Sequence, residues 1–320
     1  MTETIGTVAA RVLTSVAPDL PCGVYFRLDE NAYHADVALG SGDIRRLAIN
    51  PFNFWWKSRF NPNREVEAIT PAMLFGRAVH TAVLEGIEKF RFMYAPTDFS
   101  GSTKAGKEER ERISSAGMTA LKRDDYDHIC LASGMIRSNP HLSEAFAGGE
   151  PEVSVFWERD GIKRKARLDY VKARSIVDLK SIRNSREIDF KAACRSRFAQ
   201  DRYYAQAEHY CEARRVAAGF IQAGQIFGDA PDSALVDRLA TAGDSFAFVY
   251  VFWQAEDSPL TYALTLSPNN PILAEGRLVI ERAEQNWRTY LDQFGIETPW
   301  VLADPPEEAD INDFPAWSFR

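Results

Sequence analysis

Asp169, Asp178 and Lys180 fall in the stretch KRKARLDYVKARSIVDLK (163–180), on two neighbouring segments that read as strands. Two carboxylates and a lysine at this spacing can hold a divalent metal against a phosphate and position a water to attack it, which is the chemistry of phosphodiester hydrolysis. Alternate strand residues point the same way, so Asp178 and Lys180 share one face of a strand predicted over 175–182, while Val177 and Leu179 pack on the other. The same alternation gathers Lys163, Lys165, Arg167 and Asp169 on one face of the preceding strand. Ile162, Ala166 and Leu168 line its other face, with Arg164 and Tyr170 as polar-tipped members. An acid and three cations on one face suit a phosphate-binding cleft better than a core. A D-x-K triplet alone is a weak signal in a chain with 26% charged residues. Its plain alternative is a solvent-facing Asp178–Lys180 ion pair.

Three further pieces bear on the same chemistry. His80 lies at the border of an apolar helical stripe, one turn after Gly76 and one before Leu84. A neutral imidazole there would be a sensible extra ligand beside two aspartates, although a lone histidine in such a place is more often a satisfied boundary residue. Gln206 and Tyr210 are four apart and stack on one helical face, where an amide and a phenol could bond a phosphate or a base edge; ordinary amphipathicity is the alternative. His209 on the same helix reads as a surface residue. Glu152 depends on register. If Asp160-Gly161 form a two-residue type I′ turn, Arg159 pairs with Ile162 and Glu152 falls opposite Asp169. Like charges directly opposite repel unless a cation lies between them, so that register would make Glu152 an additional carboxylate of a metal site. A bulged three-residue turn would shift it by one.

The elements that must position these residues follow from pattern and punctuation. Ser41 or Asp43 caps a short helix that stops before Pro51, and an aromatic cluster, FNFWWKSRF, comes next. Thr70-Pro71 opens a helix to about Glu88. Residues 98–112 read as a loop and a helix start, with helices continuing to about Gly148. A hairpin over EVSVFWERDGIKRKARLDYV and the strand SIVDLKSI follow, then a helix from about Asp189 and another from about Gln200 to Ala218, stopped by Gly219. Strands are expected at 245–253 and 260–267. Pro271 opens a long amphipathic helix to about Phe294, closed by Gly295. This order gives a mixed α/β fold around a central sheet.

The chain has 320 residues, 45% of them apolar, enough to bury a full core. The start, MTETIGTVAARVLTSV, lacks a basic segment followed by a long apolar run, so no secretory signal and no membrane partner are expected. Four scattered cysteines (Cys22, Cys130, Cys194, Cys211) form no C-x-x-C pair and suit a reduced, cytoplasmic protein rather than a zinc ribbon or a disulfide framework. The net charge of −7 is awkward for a nucleic-acid enzyme, but it is unevenly spread. Residues 159–174 carry seven basic side chains against two acidic, and residues 180–202 seven against three, while much of the acid lies elsewhere, including ADPPEEADINDF.

Together these pieces resemble the PD-(D/E)XK nuclease superfamily, and within it the RecE-type exonucleases of phage recombination. The segment 33–56 is similar to that group's N-terminal entry segment. Gly76, His80, Leu84 and Glu85 match its G-x-x-x-H-x-x-x-L-E helix. RLDYV and VDLKS match the two metal-binding strands, QAEHY the Q-x-x-x-Y helix, and PWVLADPPEEADINDFPAW its closing segment. The resemblance implies a PD-(D/E)XK fold, with a central mixed sheet flanked by helices and a helical N-terminal part. It divides the chain into an extension over 1–40 and a single nuclease domain over 41–320, with a catalytic core at about 70–270. It implies His80, Asp169, Asp178 and the Leu179 carbonyl as ligands of Mg²⁺ or Mn²⁺, and Lys180 as the catalytic lysine. Gln206 and Tyr210 would contact DNA, alongside Lys163, Lys165 and Arg167. The activity implied is degradation of linear double-stranded DNA from 5′ ends, leaving 3′ single strands for recombination, with a homo-oligomeric ring and a single-strand annealing partner as associated expectations. Other readings remain open: an endonuclease, a nuclease subunit of a recombination complex, and a non-catalytic DNA-binding protein of the same fold. Leu168 precedes the first acid, so the literal Pro-Asp is absent. No cysteine follows Cys211, which disfavours an iron–sulfur cluster near the end of the domain.

Overall fold

The computed structural model of the protein describes residues 19–65, 70–229, 231–302 and 304–318. The segment 1–16, read above for a leader, lies outside them. In chain order the strands are β1 (Gly23–Phe26), β2 (Tyr94–Thr97), β3 (Thr119–Lys122), β4 (Glu150–Arg159), β5 (Ile162–Lys172), β6 (Ser175–Ile182), β7 (Ile226–Gly228), β8 (Ala247–Gln254) and β9 (Thr261–Leu266). The helices are α1 (Glu30–Ala35), α2 (Ser41–Ile49), α3 (Pro51–Lys57), α4 (Pro71–His80), α5 (Ile87–Met93), α6 (Lys104–Ser115), α7 (Arg123–Ser138), α8 (Phe190–Gln200), α9 (Tyr203–Gln222), α10 (Ser233–Thr241) and α11 (Pro271–Phe294).

Seven strands form one mixed sheet in the order β7-β1-β4-β5-β6-β8-β9. The β4–β5 hairpin turns through Asp160 (φ 53°) and Gly161 (φ 73°), the two left-handed residues that a type I′ turn requires. Arg159 pairs with Ile162, and the same register runs to Pro151↔Tyr170. Antiparallel β6 follows β5, and β8 then lies parallel to β6 after the crossover through α8 and α9. Alternate residues of β6 feed two cores. Ile176 and Ile182 pack with Phe190, Cys194 and Phe198 of α8 and with Ala207 and Cys211 of α9. Val177 and Leu179 pack on the opposite face with Ala78 and Val79 of α4 and Ile129 and Ile136 of α7. A third cluster around Trp55 and Trp300, both almost wholly buried, joins α2 and α3 to α11. No helix among the described residues is long and apolar enough to cross a membrane.

Several expectations are corrected. Residues 98–148 are not helical throughout, because β2 and β3 pair in parallel around α6 as a small second sheet. Four-residue strands such as YAPT and TALK are too short to show a period of two. The helix expected to run to Glu88 stops being α-helical after His80, where Thr81–Glu85 form a π-helical turn, and ends at Gly86 (φ 108°) before α5 begins. The α9 helix runs through Gly219 and stops at Gly224 (φ 72°), since one glycine weakens a helix without ending it. Strand β1, within the expected extension, pairs with β4 and β7 in the main sheet.

Candidate active site

The β5–β6 ladder pairs Lys172↔Ser175, Val171↔Ile176 and Tyr170↔Val177. One step further the partners would be Asp169 and Asp178, and there the ladder gives way. The Leu179 N–H donates to Asp169 Oδ2 at 2.9 Å, so a carboxylate takes the place a strand carbonyl would fill. Asp178 is fully buried. Its Oδ1 accepts from the Gln206 amide at 2.9 Å, and its Oδ2 meets the Lys180 ammonium. Burial, and after it the charge of Asp178, raises the Asp169 pKa well above the ordinary carboxylate range. Two acids crowded in a low-dielectric gap ask for a cation between them.

His80 is the last residue of α4 and faces this gap. Its Nε2 lies 3.9 Å from Asp169 Oδ2 and its Nδ1 3.3 Å from Glu152 Oε1. Burial works against the imidazolium, yet Asp169 and Glu152 outweigh it and lift the pKa to about 9. The helix continues past His80 as a π-helical turn over Thr81–Glu85, so His80 stands where the α-helical repeat changes rather than at a helix end. Glu152 sits at the register position expected, opposite Asp169, but it leaves the ladder with φ 54°. A non-glycine residue in the left-handed region costs on the order of 1 kcal/mol or more. Here, with no residue inserted and the register unchanged on either side, Glu152 meets His80 and Arg167, whose Nε donates to Oε2 at 2.7 Å.

Lys180 has its own cradle, which the sequence reading missed. Its ammonium lies 5.2 Å from the ring centre of Tyr203 and 5.8 Å from that of Tyr250. Burial pushes its pKa down, but the charges of Asp178 and Asp169 push harder, and it ends above that of an ordinary lysine. The signal was present in the alternating Phe248, Tyr250, Phe252 of β8, which lie across from β6 in parallel register. Tyr210, one turn beyond Gln206, is buried and lies in the wall of the cleft. A cleft of about 1020 Å³ opens over the site, walled by His80, Glu152, Asp169 and Tyr210 and, farther out, by Arg46, Arg59 and Arg77.

Five side chains are placed otherwise than the sequence suggests. Lys163 is drawn onto Asp19 and the Leu20 carbonyl. Lys165 is buried, donating to the Tyr33 and Asp36 carbonyls at 2.6 and 2.9 Å, and burial brings its pKa down to about 7. Arg167 divides itself between Glu152 and the Leu28 carbonyl. The cations of β5 are therefore engaged by neighbouring carbonyls and acids, with Lys165 and Arg167 lying in the wall of the cleft. Gln206 spends its amide on Asp178 rather than facing outward. His209 is fully buried instead of exposed, with Nε2 2.9 Å from the Lys165 carbonyl.

Among the described residues no three His, Cys, Asp or Glu side chains already converge as a closed metal cage. Each acid is held by a protein cation or amide. The donor chemistry nonetheless fits a divalent ion: two opposed carboxylates in a buried gap, a carboxylate aimed in by a strained backbone, and an imidazole at the rim, all hard or borderline donors.

A mixed sheet that parts between two acidic strand positions, with a lysine two residues along, defines the PDDEXK-like class of domain. Residues 59–227, more than half of the chain, match the family described as a PDDEXK-like domain of unknown function (DUF3799), and the chain belongs to that family. A crystal structure from Eubacterium rectale, described as "Putative exonuclease", matches with a TM-score of 0.53 over 88% of this chain and 97% of that one, at 14% identity. That likeness is one of fold. No curated protein matches the chain.

Proposed function

We propose that this protein is a Mg²⁺- or Mn²⁺-dependent deoxyribonuclease that degrades linear double-stranded DNA from 5′ ends. The observation that carries the reading is the parted β5–β6 ladder, which leaves Asp169 and Asp178 opposed, Lys180 against Asp178 and His80 at the rim. Membership of a PDDEXK-like family supports the hydrolytic class, and the resemblance to RecE-type exonucleases supports the end preference and the polarity. Asp169, Asp178, His80 and the Leu179 carbonyl would hold the ion, with Glu152 within reach. When bound, the ion supplies Lewis-acid stabilisation of charge building on the phosphate. Lys180, held by Tyr203, Tyr250 and Asp178, keeps its proton and presents a fixed cation to the attacked phosphate. Gln206 fixes the rotamer of Asp178. The cleft of about 1020 Å³ would admit the strand end to these groups.

The test is incubation with linear duplex labelled at either the 5′ or the 3′ end, with Mg²⁺, Mn²⁺ or EDTA, beside a closed circular duplex. Early metal-dependent release of the 5′ label that spares the circle is expected. Cutting of the circle would replace the reading by an endonuclease. No cleavage with either ion would favour a DNA-binding protein of this fold.

A further inference from the structure

Of the two basic runs in the sequence, the one over 180–202 meets a different fate from the one over 159–174. Helix α8, FKAACRSRFAQ, contains three cations and no acid. Its inner side (Phe190, Ala193, Cys194, Phe198) is buried against β6. Lys191 and Arg195, one helical turn apart, are exposed, and Arg186 in the preceding loop is exposed as well. Among the described residues neither Lys191 nor Arg186 makes an ion pair, and Arg195 touches only the Tyr262 ring and hydroxyl, at 5.9 and 3.5 Å. The nearby acids do not pair with these cations: Asp189 caps the helix through the Ala192 N–H, Asp201 pairs with Arg197, and Glu187, exposed, makes no ion pair among the described residues. Ala192 and Ser196 lie beside the cations on the exposed side, and such short side chains let a backbone come close.

Position makes this face useful. Phe198 on the inner side of α8 packs edge-on against Tyr250 at 5.6 Å and against Tyr203 at 6.3 Å, the two rings that cradle Lys180. The outer cations are thus separated from Lys180 by the width of α8, about 10 Å, and by the Phe198–Tyr250 and Tyr250–Lys180 contacts of 5.6 and 5.8 Å. That is a span on the order of 20 Å, which about six base pairs of duplex would cover. An array of unpaired cations on a protein of net charge −7 favours a polyanion over an acidic protein surface only if it can follow evenly spaced charge. One turn of helix between Lys191 and Arg195 is about 6 Å, near the spacing of consecutive phosphates.

We propose that Arg186, Lys191 and Arg195 form a docking face for the phosphate backbone of the duplex part of the substrate, separate from the cleft that takes the reacting end. The choice of ligand rests on the nuclease reading. The three cations act as sequence-independent phosphate contacts, holding the duplex while the end enters the cleft.

The test uses the full chain with Arg186→Gln, Lys191→Gln and Arg195→Gln combined. The control carries Lys104→Gln, Lys107→Gln and Arg112→Gln on α6, which removes the same charge from an exposed helix elsewhere. Binding of a fluorescein-labelled 25-base-pair duplex is followed by anisotropy in EDTA over a series of salt concentrations, and cleavage is measured separately with Mg²⁺ and Mn²⁺. The α8 variant should bind at least about ten-fold more weakly near 0.1 M salt. Its slope of log Kd against log salt should fall by roughly 2 to 3, the counterions of up to three phosphates. The control should bind as the unmodified protein does. An α8 variant with unchanged affinity and slope, or a control that loses as much, overturns the proposal. If the unmodified protein cleaves while the α8 variant binds normally, the docking face fails and the nuclease reading stands. If α8 carries binding but neither ion supports cleavage, the docking face stands and the nuclease reading fails.

Discussion

Along β5, Lys163, Arg164, Lys165 and Arg167 each turn onto an acid or a carbonyl, whereas Lys191 and Arg195 of α8 face solvent. The two regions have similar composition and both stand out in the sequence as basic runs, of which only the β5 face reads as phosphate-binding. Topology separates them. Strand β5 is central, covered on one face by α9 and on the other by the segment around Tyr33, so a charge there must find an internal partner or destabilise the fold. Arg164, wholly buried, is held by Glu212 and Glu284. Helix α8 has only its inner side covered, and its cations pay no such cost. Interior charges are thus tied to stability or chemistry, and exterior ones to recognition.

The largest test of that division is Asp178→Asn. The shape is kept and the Gln206 and Lys180 contacts are weakened rather than emptied, so cleavage should fall by on the order of 10³-fold while the melting temperature measured without metal changes little. Residual turnover near the unmodified rate would remove Asp178 from the chemistry. Next comes pH. The buried His209 donates Nε2–H to the Lys165 carbonyl, and burial holds its pKa down to about 4. In the unfolded chain the imidazole takes its proton near 6.5. The folded state therefore loses stability as pH falls from about 6.5 towards 4, by on the order of 3 kcal/mol, and loses none of it above that window. Urea titrations at pH 7 and pH 4.5 should show this loss, and His209→Gln, which keeps a donor for the carbonyl, should flatten it. An equally steep pH dependence in the variant would place the acid sensitivity elsewhere.

Lys165→Met sharpens the contrast at its centre. It strands the Tyr33 and Asp36 carbonyls, so unfolding free energy should drop by about 1–3 kcal/mol. The salt dependence of DNA binding should not change, because this lysine does not meet phosphate. A shallower salt slope would return Lys165 to the binding surface. A smaller effect is expected at Tyr203, whose ring face meets the Lys180 ammonium, a contact worth about 0.5–2 kcal/mol. Tyr203→Leu should slow turnover several-fold without altering duplex affinity, and Tyr203→Phe should retain most of the rate. A rate for Tyr203→Leu equal to that of the unmodified protein would make the cradle incidental.

Much of the site could be read before any coordinates. Asp178 and Lys180 share a face as strand alternation requires, and the Asp160-Gly161 turn set the register that brings Glu152 level with Asp169. His80, Gln206 and Tyr210 reach the same cleft or its acids from two helices distant in sequence, an assembly that the order of motifs suggested and local pattern alone did not. What local pattern could not supply was the partner of each polar group. Gln206 reads as free for DNA because nothing in QAEHY shows that β6 lies beneath it. His209 reads as exposed because α9 is buried on more of its circumference than an amphipathic pattern shows.

The long strands β4, β5, β6, β8 and β9, the tight turn, and the placing of two acids and a lysine on adjacent strands were legible in the sequence, since these depend on backbone geometry and side-chain alternation over a few residues; the short β1, β2, β3 and β7 were not. Which charges stay available is settled by the packing of the whole chain. The ladder parts at Asp169 because a carboxylate, rather than a strand carbonyl, accepts the Leu179 N–H. The β5 cations close onto acids and onto the carbonyls of Leu20, Leu28, Tyr33 and Asp36, in α1 or flanking β1 and α1, while Lys191 and Arg195 of α8 are left to solvent. Whether a charge is buried is a property of what packs over it, and that is set by chain segments far away in sequence.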